Sequence, residues 1–381
     1  MQTKELLIIG AGPYGLATAA YAQHQGLDFS LIGKPMDFWH RHMPQGMFLR
    51  SGTDWHIDPL EVHTLEAYLQ KKKISKEQAH PVPIQLVCDY VEWFQEQYDL
   101  KAQPSLIREL RKSNGLFEAV SENGESIRAR NVLLALGFSS FVNIPQDLQN
   151  KIPSGHSSHT CDAVDFDFLK ERRCLIIGGR QSAYEWAALI HERGANEIHI
   201  VHRHPTPQFA LSDWAWVSEM VRATAQVPGW FRRKSKEEQE AIRQRFWAEG
   251  RLKLEPWLGP RINKPSIYVW PNSNVIECAE LNGSLHVKLD NGKVFEVDHI
   301  ILATGYRVDV NKVPFLSKES ILPNLKTVEG FPVLDESFQS SISGLFFSGL
   351  SATKDFGPFF GFVVGCPVAG KMVVDRIKSS Q

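Results

Sequence analysis

The sequence predicts an α/β protein made of two related units, and three observations predict it. Leu6-Leu7-Ile8-Ile9 is a short apolar strand running straight into Gly10, Gly12 and Gly15, with Leu16 to Ala22 opening a helix behind them. A shift of 168 residues carries Leu7-Ile8-Ile9-Gly10 onto Leu175-Ile176-Ile177-Gly178 without a gap. The same shift carries Asn114-Gly115, Asn123-Gly124 and Val132-Leu133-Leu134-Ala135-Leu136-Gly137 onto Asn282-Gly283, Asn291-Gly292 and Ile300-Ile301-Leu302-Ala303-Thr304-Gly305. A fixed spacing that preserves glycine turns and hairpin turns together marks an internal repeat. Each half reads as strand, glycine turn, helix, strand, inserted region, hairpin and closing apolar strand.

The glycine pattern carries chemistry as well as shape. In G-x-G-x-x-G the first glycine makes a tight turn, the second lets backbone approach a pyrophosphate, and the third lets the helix pack closely on the strand. Phosphates then sit at the positive end of the helix. Gly10, Gly12, Pro13, Tyr14 and Gly15 are therefore candidate cofactor contacts, and the two units are expected to be dinucleotide-binding domains.

Composition excludes more than it selects. The chain has 381 residues, enough for two domains, with 43% hydrophobic and 22% charged residues. Lys plus Arg number 42 against 43 for Asp plus Glu, so no global field favours nucleic acid or a membrane. Five scattered cysteines, Cys88, Cys161, Cys174, Cys278 and Cys366, form no C-x-x-C, which fits reduced thiols in a cytoplasmic protein. The N-terminal apolar run is assigned by its glycines to a strand and turn, so no targeting segment is expected. Oligomeric state is left open, a homodimer included.

In chain order, the second strand is expected over Asp28 to Gly33. Its end usually carries an acid for the ribose hydroxyls. Here Gly33 and Lys34 stand there instead, leaving Asp37 or the backbone at Gly33 to make that contact. Trp39 follows, then Met47 to His56, where Arg50, Ser51 and Asp54 are candidate groups beside a redox ring; the alternative is a loop packed by its aromatics. Thr64 to Lys73 and Leu86 to Tyr98 have helical spacing. Gly115 to Arg130 reads as a hairpin or meander turning at Glu122-Asn123-Gly124, and Asn131 to Gly137 as a buried parallel strand.

The chain then crosses to the second unit through Pro145, Pro153 and Ser154 to Cys161. His156, His159, Cys161 and Asp162 match none of the zinc spacings, and a polar crossing accounts for them, so no metal is expected. The second fingerprint, Gly178-Gly179-Arg180-Gln181-Ser182-Ala183, replaces the middle glycine with Arg180, whose guanidinium could itself hold phosphate. The strand Glu197 to Arg203 ends in a cation where an NAD-preferring domain carries an acid. Arg203 there either accepts a 2'-phosphate, which points to NADPH, or is a solvated strand end.

An insertion follows from about 205 to 271 with six of the ten tryptophans, Trp214, Trp216, Trp230, Trp247, Trp257 and Trp270, and a charged helix from Ser235 to Glu249. It reads equally as an apolar lining or as the core of a helical subdomain. Gly344 to Leu350 is another strand with a glycine turn, and Asp355 to Gly361 leads into an apolar helix through Met372. Gly365, Pro367 and Lys371 make that helix a buried one capping a cofactor pocket, not a membrane span.

Nearly the whole chain resembles the two-dinucleotide-binding flavoproteins of the glutathione-reductase type, with Rossmann-like three-layer ββα domains. Gly10-Ala11-Gly12-Pro13-Tyr14-Gly15 and Gly178-Gly179-Arg180-Gln181-Ser182-Ala183-Tyr184-Glu185 look most like flavin-containing monooxygenases and lysine/ornithine N-hydroxylases. The latter typically read Gly-Gly-Gly-Gln-Ser-Ala with a following Glu, matched at Gln181, Ser182, Ala183 and Glu185 but not at Arg180. Of the monooxygenases' F-x-G-x-x-x-H, Gly155 and His159 keep the spacing while Pro153 replaces the Phe. The resemblance implies a discontinuous FAD-binding domain, 1–160 with 301–381, and an NADPH-binding domain, 161–300. It adds Gly137, Gly305, Gly349, Phe359 and Phe360 to the expected cofactor contacts. It implies hydride transfer from NADPH to FAD, capture of molecular oxygen as a peroxyflavin, and oxygenation of nitrogen, sulfur or a carbonyl in a small substrate. A flavin-dependent disulfide reductase is the first alternative, although no Cys pair is present and Tyr14 fills the fingerprint position that Cys takes in some relatives. A non-catalytic FAD or NADPH sensor is the second.

Overall fold

The computed structural model describes residues 3–380. Four parallel strands form the larger part of its six-stranded first sheet: Phe29–Ile32, Lys4–Ile9, Ser126–Leu134 and Leu345–Phe347, with Ile9 opposite both Ile32 and Leu134. Leu6, Leu7 and Ile8 are fully buried, as a strand covered on both faces must be. The long strand Ser126–Leu134 serves both the parallel and the antiparallel part of this sheet. Its first half closes an antiparallel meander with Ile107–Ser113 and Leu116–Ser121, and its second half lies parallel to Lys4–Ile9. The helix Pro13–His24 starts at Gly12 with Pro13 in its first turn, where the missing N–H costs nothing. It packs on the helix Cys366–Lys378 so closely that a Cβ on Gly370 would lie 3.2 Å from Thr18 backbone.

The second sheet is parallel throughout, in the order Ile267–Pro271, Glu197–His202, Arg173–Ile177, His299–Leu302, Ser157–His159. A meander of Val275–Leu281, Ser284–Leu289 and Val294–Val297 stands beside it as a separate sheet, where in the first half the meander is continuous with the parallel strands. The repeat persists at atomic contact. A Cβ on Gly10 would overlap the carbonyl oxygen of Ala135, and one on Gly178 that of Ala303. The 168-residue shift carries each pair onto the other.

Three local expectations are corrected. Ser157–His159 is a strand of the second sheet, not merely a polar crossing, because its backbone runs parallel to His299–Leu302. Ile267–Pro271 also joins that sheet, so the excursion from it ends before residue 267. Near the C terminus, Gly357 at φ 98° and Pro358 break the chain into short 3₁₀ turns, and the helix runs Cys366–Lys378, past Met372. No helix among the described residues is long and apolar enough to cross a membrane.

The excursion after Glu197–His202 holds the helices Ala215–Gln226 and Lys236–Arg251, the latter opened by a Ser235/Glu238 capping box. Its tryptophans divide. Trp214, Trp216 and Trp230 pack into the core of the first sheet, Trp257 into that of the second, and Trp247 remains half exposed.

Candidate functional site

The first glycine turn is built by sterics. Gly10 holds φ 110° and Gly33 φ 142°, where side chains are strained. A Cβ on Gly15 would overlap the Gly10 carbonyl oxygen, whereas one on Gly12 would meet nothing within 4 Å. The helix behind Gly12 has no side-chain cap, so its first-turn N–H groups face that open side. Gly137 and Gly305, at φ 63° and 75°, are likewise open within 4 Å. Such a cradle fits a pyrophosphate.

Around it, Tyr14 does not point at open space. Its hydroxyl meets the carbonyl oxygens of Phe360 and, at 2.9 Å, Phe362, and Gly349 packs on its ring. Burial and nearby Cys366 hold the phenol well above its ordinary value. Phe359 and Phe360 are fully buried, against Trp230 and Phe231 on one side and Phe338 and Phe356 on the other. Trp39 is half-buried against the same core and Lys34 is exposed. The Asp37 carboxylate pairs with Arg41 at 3.3 Å, and the Gly33 N–H donates to Gln103 O at 2.9 Å.

At the second turn, a Cβ on Gly179 would overlap the His202 ring, which burial pushes down to about 4. That glycine is thus explained by a neighbour that spacing could not reveal. The helix Gln181–Glu192 again lacks a side-chain cap; Ser182 is exposed and the Gln181 Nε2 is buried without a hydrogen-bond partner. Arg180 lies over Trp247 and donates to the Arg251 carbonyl at 2.5 Å. Arg203 is exposed and has no ion-pair partner among the described residues.

Residues 48–56 are brought against the second half. The Arg50 guanidinium pairs with Glu255 at 3.0 Å, and donates to Ser212 Oγ and to the carbonyls of Gly250, Glu249 and Lys253. Ser51 is half-buried, and Asp54 is exposed at an open groove of about 550 Å³ lined also by Glu66, Lys76 and His80. Of the three, only Arg50 is gripped, and by protein.

Two residues without a proposed role in the sequence prove central. Asp58, fully buried, accepts from the N–H groups of Leu60, Val62 and His63 and from Tyr98 Oη, which folds the loop after Trp55. Glu185, also fully buried, accepts the Phe48 N–H at 2.7 Å across the two halves. Desolvation pushes Glu185 up to about 8, against the opposing pull of the Phe48 N–H and of the Arg261 and Arg50 charges. From the ordinary value near 4.5 up to 8, the folded protein holds a proton that the unfolded chain has lost. Stability therefore falls as pH rises through that window and levels off above it. Glu185→Gln is expected to remove that slope, worth on the order of a few kcal/mol. Urea unfolding at pH 5 and pH 8.5 checks it, and equal slopes in both proteins would sink it.

His42 joins Cys161 and Asp162, three groups whose ligating atoms all lie within 4.8 Å of one another. His42 comes from far along the chain, so spacing could not show this grouping. The Cys161 Sγ lies 3.1 Å from His159 Nδ1, and burial with Asp162 pushes the thiol up to about 12. All five cysteines are free. A buried thiol held protonated is a poor nucleophile.

The family described as pyridine nucleotide-disulphide oxidoreductase matches residues 7–227, more than half of the chain. The chain belongs to that family. Proteins of that family bind FAD and NAD(P)H. It is 27% identical over 202 residues to the thioredoxin reductase of Rickettsia prowazekii (strain Madrid E), a match covering 53% of the chain and 56% of that relative. The chain thus spans about half the length of such curated relatives. Its fold resembles the Kutzneria sp. 744 ornithine N-hydroxylase at TM-score 0.79 and 15% identity, each chain covered 100%. A flavin-containing monooxygenase from Stenotrophomonas maltophilia follows at 0.70 and 17%, with 100% and 99% covered. Those two likenesses are of fold.

Proposed function

We propose that the protein is an NADPH- and FAD-dependent monooxygenase that oxygenates a small organic substrate at nitrogen, sulfur or a carbonyl. The observation that carries this is the end-to-end likeness of fold to an ornithine N-hydroxylase and a flavin-containing monooxygenase, combined with the state of the thiols. Residues 1–160 and 301–381 would hold FAD, with its pyrophosphate on the Gly12 side of the first turn. Residues 161–300 would hold NADPH, with Arg203 and Arg180 as its cationic contacts. When bound, FAD would supply the hydride acceptor and the means of activating oxygen. The protein's part is to position the two nucleotides and keep water out. Tyr14 ties the Pro358–Gly361 turn to the first helix, and Phe359 and Phe360 make the surroundings apolar.

A second reading, a flavin-dependent disulfide reductase, is favoured by the thioredoxin reductase relatives. It requires a reactive thiol, and Cys161, the thiol nearest to acid–base groups, is buried and held protonated. Reducing the protein with NADPH under anaerobic conditions and mixing it with oxygen separates the readings. A flavin spectrum distinct from both reduced and oxidised forms, persisting before reoxidation, is expected. Smooth reoxidation would count for the reductase, and a flavin never reduced by NADPH for a non-catalytic sensor.

A further inference from the structure

Of the tryptophans after residue 205, Trp214, Trp216 and Trp230 are consumed by packing, while Trp247 is 52% exposed near the end of the helix Lys236–Arg251. A single exposed tryptophan needs no explanation. Its neighbours do. The guanidinium carbons of Arg180 and Arg251 lie 5.4 and 5.9 Å from its ring centroid, and Arg180 occupies the position just before the second fingerprint's helix. None of Arg180, Arg203 and Arg251 has a carboxylate partner among the described ion pairs, whereas Arg50, close by, has Glu255. Arg180 and Arg203 repel each other, as do Arg180 and Arg251, and burial together with Arg203 holds Arg180 below its ordinary value.

Leu252 is 47% exposed, and the Gln208 N–H donates to its carbonyl at 3.3 Å, placing the Gln208–Phe209 strand and its 42% exposed Phe209 alongside. At the first turn of the adjacent helix, the Gln181 Nε2 is buried without a partner. Guanidiniums without carboxylate partners beside a half-exposed indole suit a ligand that combines anionic phosphate with a flat ring. The position beyond the carboxyl ends of the parallel strands Arg173–Ile177 and Glu197–His202 is where such sheets bind nucleotides.

Which ring follows from Arg203. It stands one residue past the strand end that addresses the adenosine ribose, and Arg180 links it to Trp247. Resting on the assignment of residues 161–300 to NADPH, we propose that Trp247 is the stacking surface for the adenine ring of the 2'-phosphorylated dinucleotide, flanked by Arg180 and Arg251. The excursion that carries Trp247 is then part of the nucleotide site and helps set its preference for a 2'-phosphate.

Calorimetric titration of the FAD-loaded protein with NADP⁺ and with adenosine 2',5'-bisphosphate, which has the adenine and 2'-phosphate but no nicotinamide, tests this. Trp247→Ala is expected to weaken both ligands by the same factor, about tenfold or more, and Trp247→Phe to recover most of the loss. Weakening of NADP⁺ alone would put the nicotinamide on the indole and overturn the assignment, as would unchanged binding of both in Trp247→Ala. If the wild-type protein bound neither ligand, the NADPH site itself would be lost, a failure distinct from a change confined to the variant. The half-exposed position of Trp247 lets the variants be compared as folded proteins, with circular dichroism as the check.

Discussion

Replacing Arg50 with alanine is expected to destabilise the protein by about 3–5 kcal/mol, the cost of leaving one member of a buried ion pair alone. The Arg50 side chain is 15% exposed and that of Glu255 5%, so neither charge has ready access to water. The guanidinium also satisfies the carbonyls of Gly250, Glu249 and Lys253, all near the end of the Lys236–Arg251 helix, where unpaired acceptors collect. Arg50→Lys is expected to recover only part of the loss, because one ammonium cannot span a fork of five partners. Adding Glu255→Gln to Arg50→Ala should restore some stability by removing the orphaned charge, a coupling that a double-mutant cycle measures. The readout is the urea midpoint. A variant of unchanged stability that has lost turnover would instead make Arg50 a group of the reaction, as its place in the sequence suggested.

Gly12→Ala is expected to weaken FAD binding by about 100-fold or more, roughly 2.7 kcal/mol, while leaving the fold in place. The added methyl meets no protein atom within 4 Å, so the protein tolerates it, but it fills the side on which a pyrophosphate would approach the backbone. Gly15→Ala provides the contrast. Its methyl would overlap the Gly10 carbonyl oxygen, so the strand and helix must separate, and loss of soluble protein is the expected result. Titration of the flavin-stripped variants with FAD, alongside thermal melts, distinguishes a filled cradle from a broken turn. Full FAD affinity in Gly12→Ala would remove the first fingerprint as the pyrophosphate site.

The glycine turns were legible because their causes are local. Gly10 and Gly178 need positive φ wherever a strand turns sharply into a helix, and a gap-free shift of 168 residues exposes the repetition without any knowledge of contacts. The helix Leu65–Lys72 was legible for the same reason, its Thr64 cap accepting the Ala67 N–H at 3.1 Å. Ser157–His159 was not. Three residues carry too little periodicity to mark a strand, and only the edge offered by His299–Leu302 makes them one.

The sequence by itself determined the two-unit α/β plan and the glycines that mark its turns, since apolar strands, φ requirements and hairpin chemistry are written within a few residues. Tertiary structure alone decided what the polar residues do. Arg50 finds Glu255, Glu185 finds the Phe48 N–H, His42 finds Cys161, and Arg180 finds Trp247, in each case across tens to hundreds of residues. Charge and hydrogen-bonding groups take their energies from whichever partners burial brings within a few ångströms. The same carboxyl that is an ordinary surface acid on one face of a helix is, at Glu185, pushed up to about 8 because the other half of the protein covers it.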